Sequence, residues 1–284
     1  MALFVGLFLW TDIRAKYHCA QNLSFNSRSG RTKPDLVAPG HWVMSASANL
    51  REFGECDGSG GLHWESGTSM SAPVVSGSSA LVRQYFEDGY YPCGSLGCNE
   101  SLSPSGSLVK AVLLDDAQEL LGIQNGSRIE STSPYDNSQG MGRINLLSSL
   151  PLLNENDFNT VVVNGKEITY GATESKTFHI NKVGCARADI SATLVWYDTG
   201  GAVGCNRCLL NDLNLLVEQI SPDGTVIHTN HPNGLSSPDN KNTVERVRIT
   251  VEHGDVYHVS VKAFNLITPS HKYSLVISGC ISSA

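Results

Sequence analysis

The sequence predicts an α/β unit, a partial parallel sheet with helices, followed by an all-β sandwich of the jelly-roll kind. Three observations predict it. The 284 residues leave room for two ordinary domains. From Thr32 to about Leu150, short apolar runs alternate with Gly-rich loops and stretches of helical periodicity. After Pro151 apolar residues repeat at period two with no helix between them, the mark of half-buried strands. The units are placed at residues 24–150 and 155–284, with residues 1–23 an unassigned amino end.

In that amino end the apolar run from Ala2 to Trp10 is far shorter than the roughly 20 residues a membrane helix needs, and no spanning segment occurs elsewhere. It reads as a signal-like segment without a positive start, or as a plain amino end. "PDLVAPG" (Pro34 to Gly40) is a short extended piece closed by Pro and Gly. Val74 to Phe86 carries Val74, Gly77, Leu81 and Tyr85 at helical spacing and Gly89 as a stop. Apolar or small residues on nearly every side predict a helix buried in a larger core. "SPSGSLVKAVLLDDAQELLG" (Ser103 to Gly122), with Leu108, Val109, Val112 and Leu113, predicts an amphipathic helix covering a sheet.

In the second unit "DISATLVWYD" puts Ile190, Ala192, Leu194 and Trp196 on one strand face. "VRITVEHGDVYHVSVKAF" sets Val247, Ile249 and Val251 before a Gly-Asp turn and Tyr257, Val259, Val261 and Ala263 after it, which predicts a hairpin. "YSLVIS" (Tyr273 to Ser278) closes the series.

Hydrophobic content of 40% and charged content of 17% are those of a folded globular chain. A net charge of −7 without a run of lysines or arginines excludes nucleic acid and anionic membrane surfaces as partner classes. Eight cysteines (Cys19, Cys56, Cys93, Cys98, Cys185, Cys205, Cys208, Cys280) accompany three glycosylation-type triplets at Asn22, Asn99 and Asn125, which together point to a secretory compartment. "CGSLGC" and "CNRC" are loops a disulfide could close. "CNRC" could also be half a zinc site, but no second such pair completes it. Eight cysteines allow about a hundred pairings, so connectivity stays open.

Chemistry concentrates in "ESGTSMSAPVVSG" (Glu65 to Gly77). A serine attacks poorly until a fixed neighbouring base takes its proton. A helix start is a suitable place for one, because its free N–H groups and positive dipole end stabilise an oxyanion. A bare Thr-Ser-Met-Ser also serves as a helix cap.

The longer stretch favours the nucleophile. "SGTSMSAP" followed by "VVSG" resembles the serine motif of the subtilisin-like serine peptidases, the subtilases. "GRTKPDLVAPG" (Gly30 to Gly40) resembles the segment before that motif, and "GMGRINLLSSL" (Gly140 to Leu150) the segment that closes the protease domain. The resemblance covers about residues 24–150. It implies part of a subtilisin-like sheet, a protein or peptide substrate, and Ser69 as nucleophile with its own N–H in the oxyanion hole. "ATLVWYD", "LLNDLNLLV" and "NTVERV" resemble the β-sandwich that follows the protease domain in one subtilase group.

The departures matter equally. The family's acid lies near an Asp-Thr-Gly motif and its base near a His-Gly-Thr-His motif, both before the serine. Neither occurs in residues 1–68. "DTG" at Asp198 to Gly200 follows the serine and reads as a turn, and His41 and His63 read as loop histidines. The expectation is a serine endopeptidase by family, inactive as it stands, whose implied partner is the missing upstream part of the protease domain. The other class is a non-catalytic binding module using the sandwich. Acid and amide groups collect there: Asp198, Asp212, Asn214, Asp239, Asn240, Asn242 and Glu245. Such oxygens suit calcium, which the resembling group commonly binds, with Asp198, Asp212 and Asp239 as ligands; serine chemistry itself requires no cofactor.

Overall fold

A computed structural model of the chain describes residues 30–46, 62–99, 101–120, 122–124, 127–129, 135–205 and 208–283. The amino end 1–23, Cys19, Cys56, Asn22 and Asn125 lie outside them. Strands β1 (Val43–Ala46) and β2 (Leu62–Glu65) pair antiparallel ahead of helix α1 (Thr68–Glu87). Helix α2 (Gly106–Asp115), the pair β3 (Gly122–Gln124) and β4 (Ser127–Ile129), and the single turn α3 (Leu146–Ser149) follow. Then come β5 (Asn159–Thr169), β6 (Thr173–Ile180), β7 (Asp189–Trp196), β8 (Asp212–Ile220) and β9 (Val226–Asn230). A 3₁₀ turn at Pro232–Gly234 leads to β10 (Val244–Thr250), β11 (Val256–Asn265), β12 (Ser270–Gly279) and β13 (Ile281–Ser283).

The later strands form two antiparallel sheets, ordered β10-β7-β12-β5 and β13-β6-β11-β8-β9. They enclose a core that includes Trp196, Leu213, Leu215, Tyr257 and Ile277. Ile190, Ala192, Leu194 and Trp196 share this core as their alternation requires. The expected hairpin does not form. Its inward residues are right, but β10 pairs with β7 in one sheet and β11 with β6 and β8 in the other. The Gly254–Asp255 turn arches between sheets, a path with the same side-chain alternation as a hairpin.

Between residues 30 and 150 the described residues form no parallel sheet; their one parallel pairing is a bridge from Val37 to Arg143. Helix α2 covers a sheet as its pattern demands, but the sheet is the four-stranded layer of the sandwich. Leu108 and Val112 share a second core with Val195, Val244 and Val276. Strand β7 is therefore buried on both faces. Its polar Ser191 and Thr193 are consumed by α2, donating to the Asp115 carbonyl and to Asp115 Oδ1, each at 2.8 Å. Arg246, on the same face, donates to the Leu114 carbonyl at 2.9 Å and the Met141 carbonyl at 3.2 Å. Ser105 caps α2, its hydroxyl accepting from Leu108 N–H at 3.2 Å.

Helix α1 is not buried all round. Ser71, Val75, Val82, Tyr85 and Phe86 face the core, while Pro73, Gly77, Ala80 and Leu81 are exposed. Gly89 follows its end at φ 72°, the left-handed position that suits glycine past a helix. Disulfides join Cys93 to Cys98, Cys185 to Cys280 and Cys205 to Cys208. The last pair removes "CNRC" as a zinc half-site.

Candidate functional site

Ser69 is the second residue of α1 and is exposed at the helix's amino end. Gly67 caps the helix with extended backbone and no side-chain bond. Helix-start N–H groups lacking an intrahelical acceptor suit an oxyanion there. Pro73 is the sixth helical residue rather than an early one; having no N–H, it leaves the Ser69 carbonyl without its usual i+4 donor.

The two serines of "TSMS" part company. Ser71 is 1% exposed and its hydroxyl donates to the Ala38 carbonyl at 2.8 Å, a structural bond. Gly67 N–H donates to the Gly40 carbonyl at 2.8 Å, so "VAPG" holds the serine turn at two points. The closing motif braces the same segment from behind: Val37 N–H donates to Gly142 O and Ile144 N–H to Val37 O, both at 3.0 Å. A Cβ on Gly140 would lie 2.4 Å from the Pro34 and Asp35 carbonyl oxygens, so no larger residue fits against that strand. Asp35 beneath it accepts from Lys110 at 2.8 Å, from Tyr135 at 2.9 Å and from both sides by Lys33. Burial alone would raise the Asp35 carboxyl, but the Lys110 and Lys33 ammonium groups outweigh it and hold the group well below the usual carboxylate range.

The three segments singled out by resemblance thus converge on one turn. A sequence model of the subtilase family matches residues 16–142. This part of the chain is a subtilase-family segment. The serine protease/ABC transporter B family proteins tagB and tagD of Dictyostelium discoideum are 29% and 30% identical to the chain over 306 and 234 residues, covering 90% and 68% of it. The PII-type proteinase of Lactococcus lactis subsp. cremoris is 28% identical over 162 residues, 57% of the chain. The matches take in 16%, 13% and 7% of those proteins, so the chain spans a small part of their length. Among solved structures, tripeptidyl peptidase 2 aligns over 43% of the chain and 10% of its own at 6% identity and a TM-score of 0.29, too distant to bear on the argument.

Among the described residues no histidine is hydrogen-bonded to Ser69. His41 Nδ1 bonds Ser66 Oγ at 2.9 Å and His63 Nε2 bonds Glu65 Oε1 at 2.7 Å, so both rings are engaged elsewhere. Two of the expected calcium ligands, Asp198 and Asp239, already accept several hydrogen bonds. Asp198 accepts from Arg31 at 3.1 Å, Leu210 N–H at 2.8 Å and the Asn211 amide at 2.9 Å. Asp239 accepts from the Asn233 and Asn242 amides, each at 2.7 Å, and from Lys241 N–H at 2.9 Å. Asp212 begins β8 opposite Asn265. Among the described residues no three His, Cys, Asp or Glu side chains are arranged to hold a metal ion. Asp198 and Asp239 also dock the subtilase segment: Asp198 holds Arg31, and Asn242, fixed by Asp239, accepts from Thr32 N–H at 2.8 Å.

Sequence reasoning passed over the β1–β2 ribbon. Its signal was legible as alternation in "WVMSA" and "LHWE", two short runs separated by a long Gly-rich stretch that hid their pairing.

Proposed function

We propose that Ser69 is the nucleophile of a subtilisin-like serine endopeptidase and that its base and acid are not carried by these 284 residues. The observation that carries this is an exposed serine at the start of α1, clamped by "VAPG" and the closing motif, with His41 and His63 both turned to other partners. In the reaction a base takes the Ser69 proton and Oγ adds to a peptide carbonyl. The C–N bond then breaks as the amine takes that proton, and water releases the acid and restores the serine. In subtilisin, losing the histidine lowers kcat by about a million-fold, so the chain alone hydrolyses peptides only at a residual rate. The relatives' names support a protein or peptide substrate. The three disulfides support an oxidising compartment, and no described helix is long and apolar enough to cross a membrane.

The test is fluorophosphonate labelling of the purified, folded chain with and without added imidazole as a surrogate base. Slow labelling that imidazole accelerates and Ser69→Ala abolishes is the expected result. Labelling that never responds to imidazole overturns the nucleophile and leaves a binding module; fast labelling in plain buffer shows that a local base has been recruited.

A further inference from the structure

We propose that the β1–β2 ribbon is the docking strand for the polypeptide substrate of Ser69, its aromatic face taking an extended, apolar stretch of that chain; this rests on the peptidase reading above. The antiparallel register sets Met44 opposite Trp64 and Ala46 opposite Leu62, so these four share one face, while Ser45, His63 and Glu65 share the other. Trp42 joins the apolar face, its ring centroid 6.2 Å from that of Trp64. That face is open: Trp42 is 63% exposed, Met44 51%, Leu62 64% and Trp64 51%. Two tryptophans and two large aliphatic side chains in contiguous exposure mark an interaction surface rather than scattered surface hydrophobics.

A second observation bears on the same place. Trp42 has φ 50°, the left-handed region, which is costly for a bulky residue and is found where a ligand clamp over-determines the backbone. The strain is held by the serine motif itself: Ser66 Oγ accepts the Trp42 N–H at 2.8 Å and also bonds His41 Nδ1 at 2.9 Å. Ser66 lies three residues before Ser69, and Gly67 N–H reaches the Gly40 carbonyl at 2.8 Å, so the ribbon's base is hydrogen-bonded to the start of the nucleophile's helix. A chain bound to the ribbon is thereby held in continuity with the reacting serine.

The geometry selects an extended peptide. Among the described residues β1 and β2 pair only with each other, so the ribbon has outer N–H and C=O groups to which a third strand can bond. Apolar side chains at alternate positions of that strand fall on the Met44 and Trp64 face. The eight strand residues are too few for a stable dimer interface, which takes about 20–30 residues a side.

The experiment is fluorescence anisotropy of two dye-labelled octapeptides, one with Phe and Leu at alternate positions and one with Ser in their place, against the intact chain and Ser69→Ala. The apolar peptide is expected to bind both proteins alike and at least tenfold tighter than the serine peptide. Trp42→Ala and Trp64→Ala are each expected to weaken it at least tenfold, with the urea unfolding midpoint unchanged. Equal binding of the two peptides, or no loss in either tryptophan variant, overturns the inference. So does concentration-dependent dimerisation that Trp64→Ala abolishes, which would make the ribbon a self-association surface. Docking lost while imidazole-dependent labelling of Ser69 persists overturns this inference alone. Docking retained with Ser69 unlabelled supports the docking strand and removes the peptidase reading.

Discussion

Asp115, the last residue of α2, accepts the Thr193 hydroxyl of β7 at 2.8 Å, and both residues are wholly buried. The same carboxylate accepts the Ser278 hydroxyl of β12. Replacing it strands two buried hydroxyls, each costing about 1–3 kcal/mol. Asp115→Ala is therefore expected to lower unfolding free energy by about 3 kcal/mol in urea titration. Asp115→Asn, which keeps one acceptor oxygen, should lose roughly half of that.

Because α2 shields Val195, Val244 and Val276, neither half of the chain is expected to stand alone. Residues 1–150 should be poorly soluble, and residues 155–284 should bind a hydrophobic dye and melt without cooperativity. Calorimetry of the two fragments beside the intact chain checks this, and a sharp transition in either fragment would contradict it.

Glu245 sits on β10, fully buried, with Oε2 accepting the Leu215 N–H of β8. Burial is the largest cause holding its carboxyl proton well above the usual range; Asp239 and Asp212 add to it, and the Leu215 bond opposes it. The folded state keeps this proton after the unfolded chain has released it. Stability from this group is therefore complete below the ordinary glutamate pKa and falls as pH rises from there toward the raised folded value. Glu245→Gln should flatten that slope, so the variant gains on the parent as pH is raised; parallel curves in urea melts from pH 4 to 9 would refute the assignment.

The Cys185–Cys280 bridge closes a 95-residue separation, against 5 for Cys93–Cys98. On loop-closure grounds, replacing the long-range pair by alanines should cost about 4 kcal/mol, and the short pair distinctly less. Denaturation of the two double variants ranks them directly.

For calcium, the N–H donors already on Asp198 and Asp239 predict equal melting temperatures with calcium and with chelator. A rise of several degrees with calcium would show that these networks open to admit it.

The motifs were legible where local chemistry fixes them: Ser69 at a helix start, Gly89 past the end of α1, alternate apolar residues in β7. Which elements met was not. The partners of Thr193 and Ser191 left no trace in their own stretch, because the buried Asp115 they bond lies 76 to 78 residues earlier in the chain. The β10–β11 arch read as a hairpin because alternation records which way a side chain points and not which strand lies beside it. The ring contact of Trp42 with Trp64 was equally hidden, since register between distant runs leaves no periodicity in the chain.

The Asp115–Ser278 bond also sets a timetable for synthesis. Its partners are 163 residues apart, and at roughly 5–20 residues per second the ribosome needs on the order of ten seconds or more between them. Until β12 is made, the sheet under α2 lacks the strand that joins β7 to β5. A chain stalled before β12 therefore leaves Val276's place in the α2 core unfilled and the β7 and β5 edges unpaired.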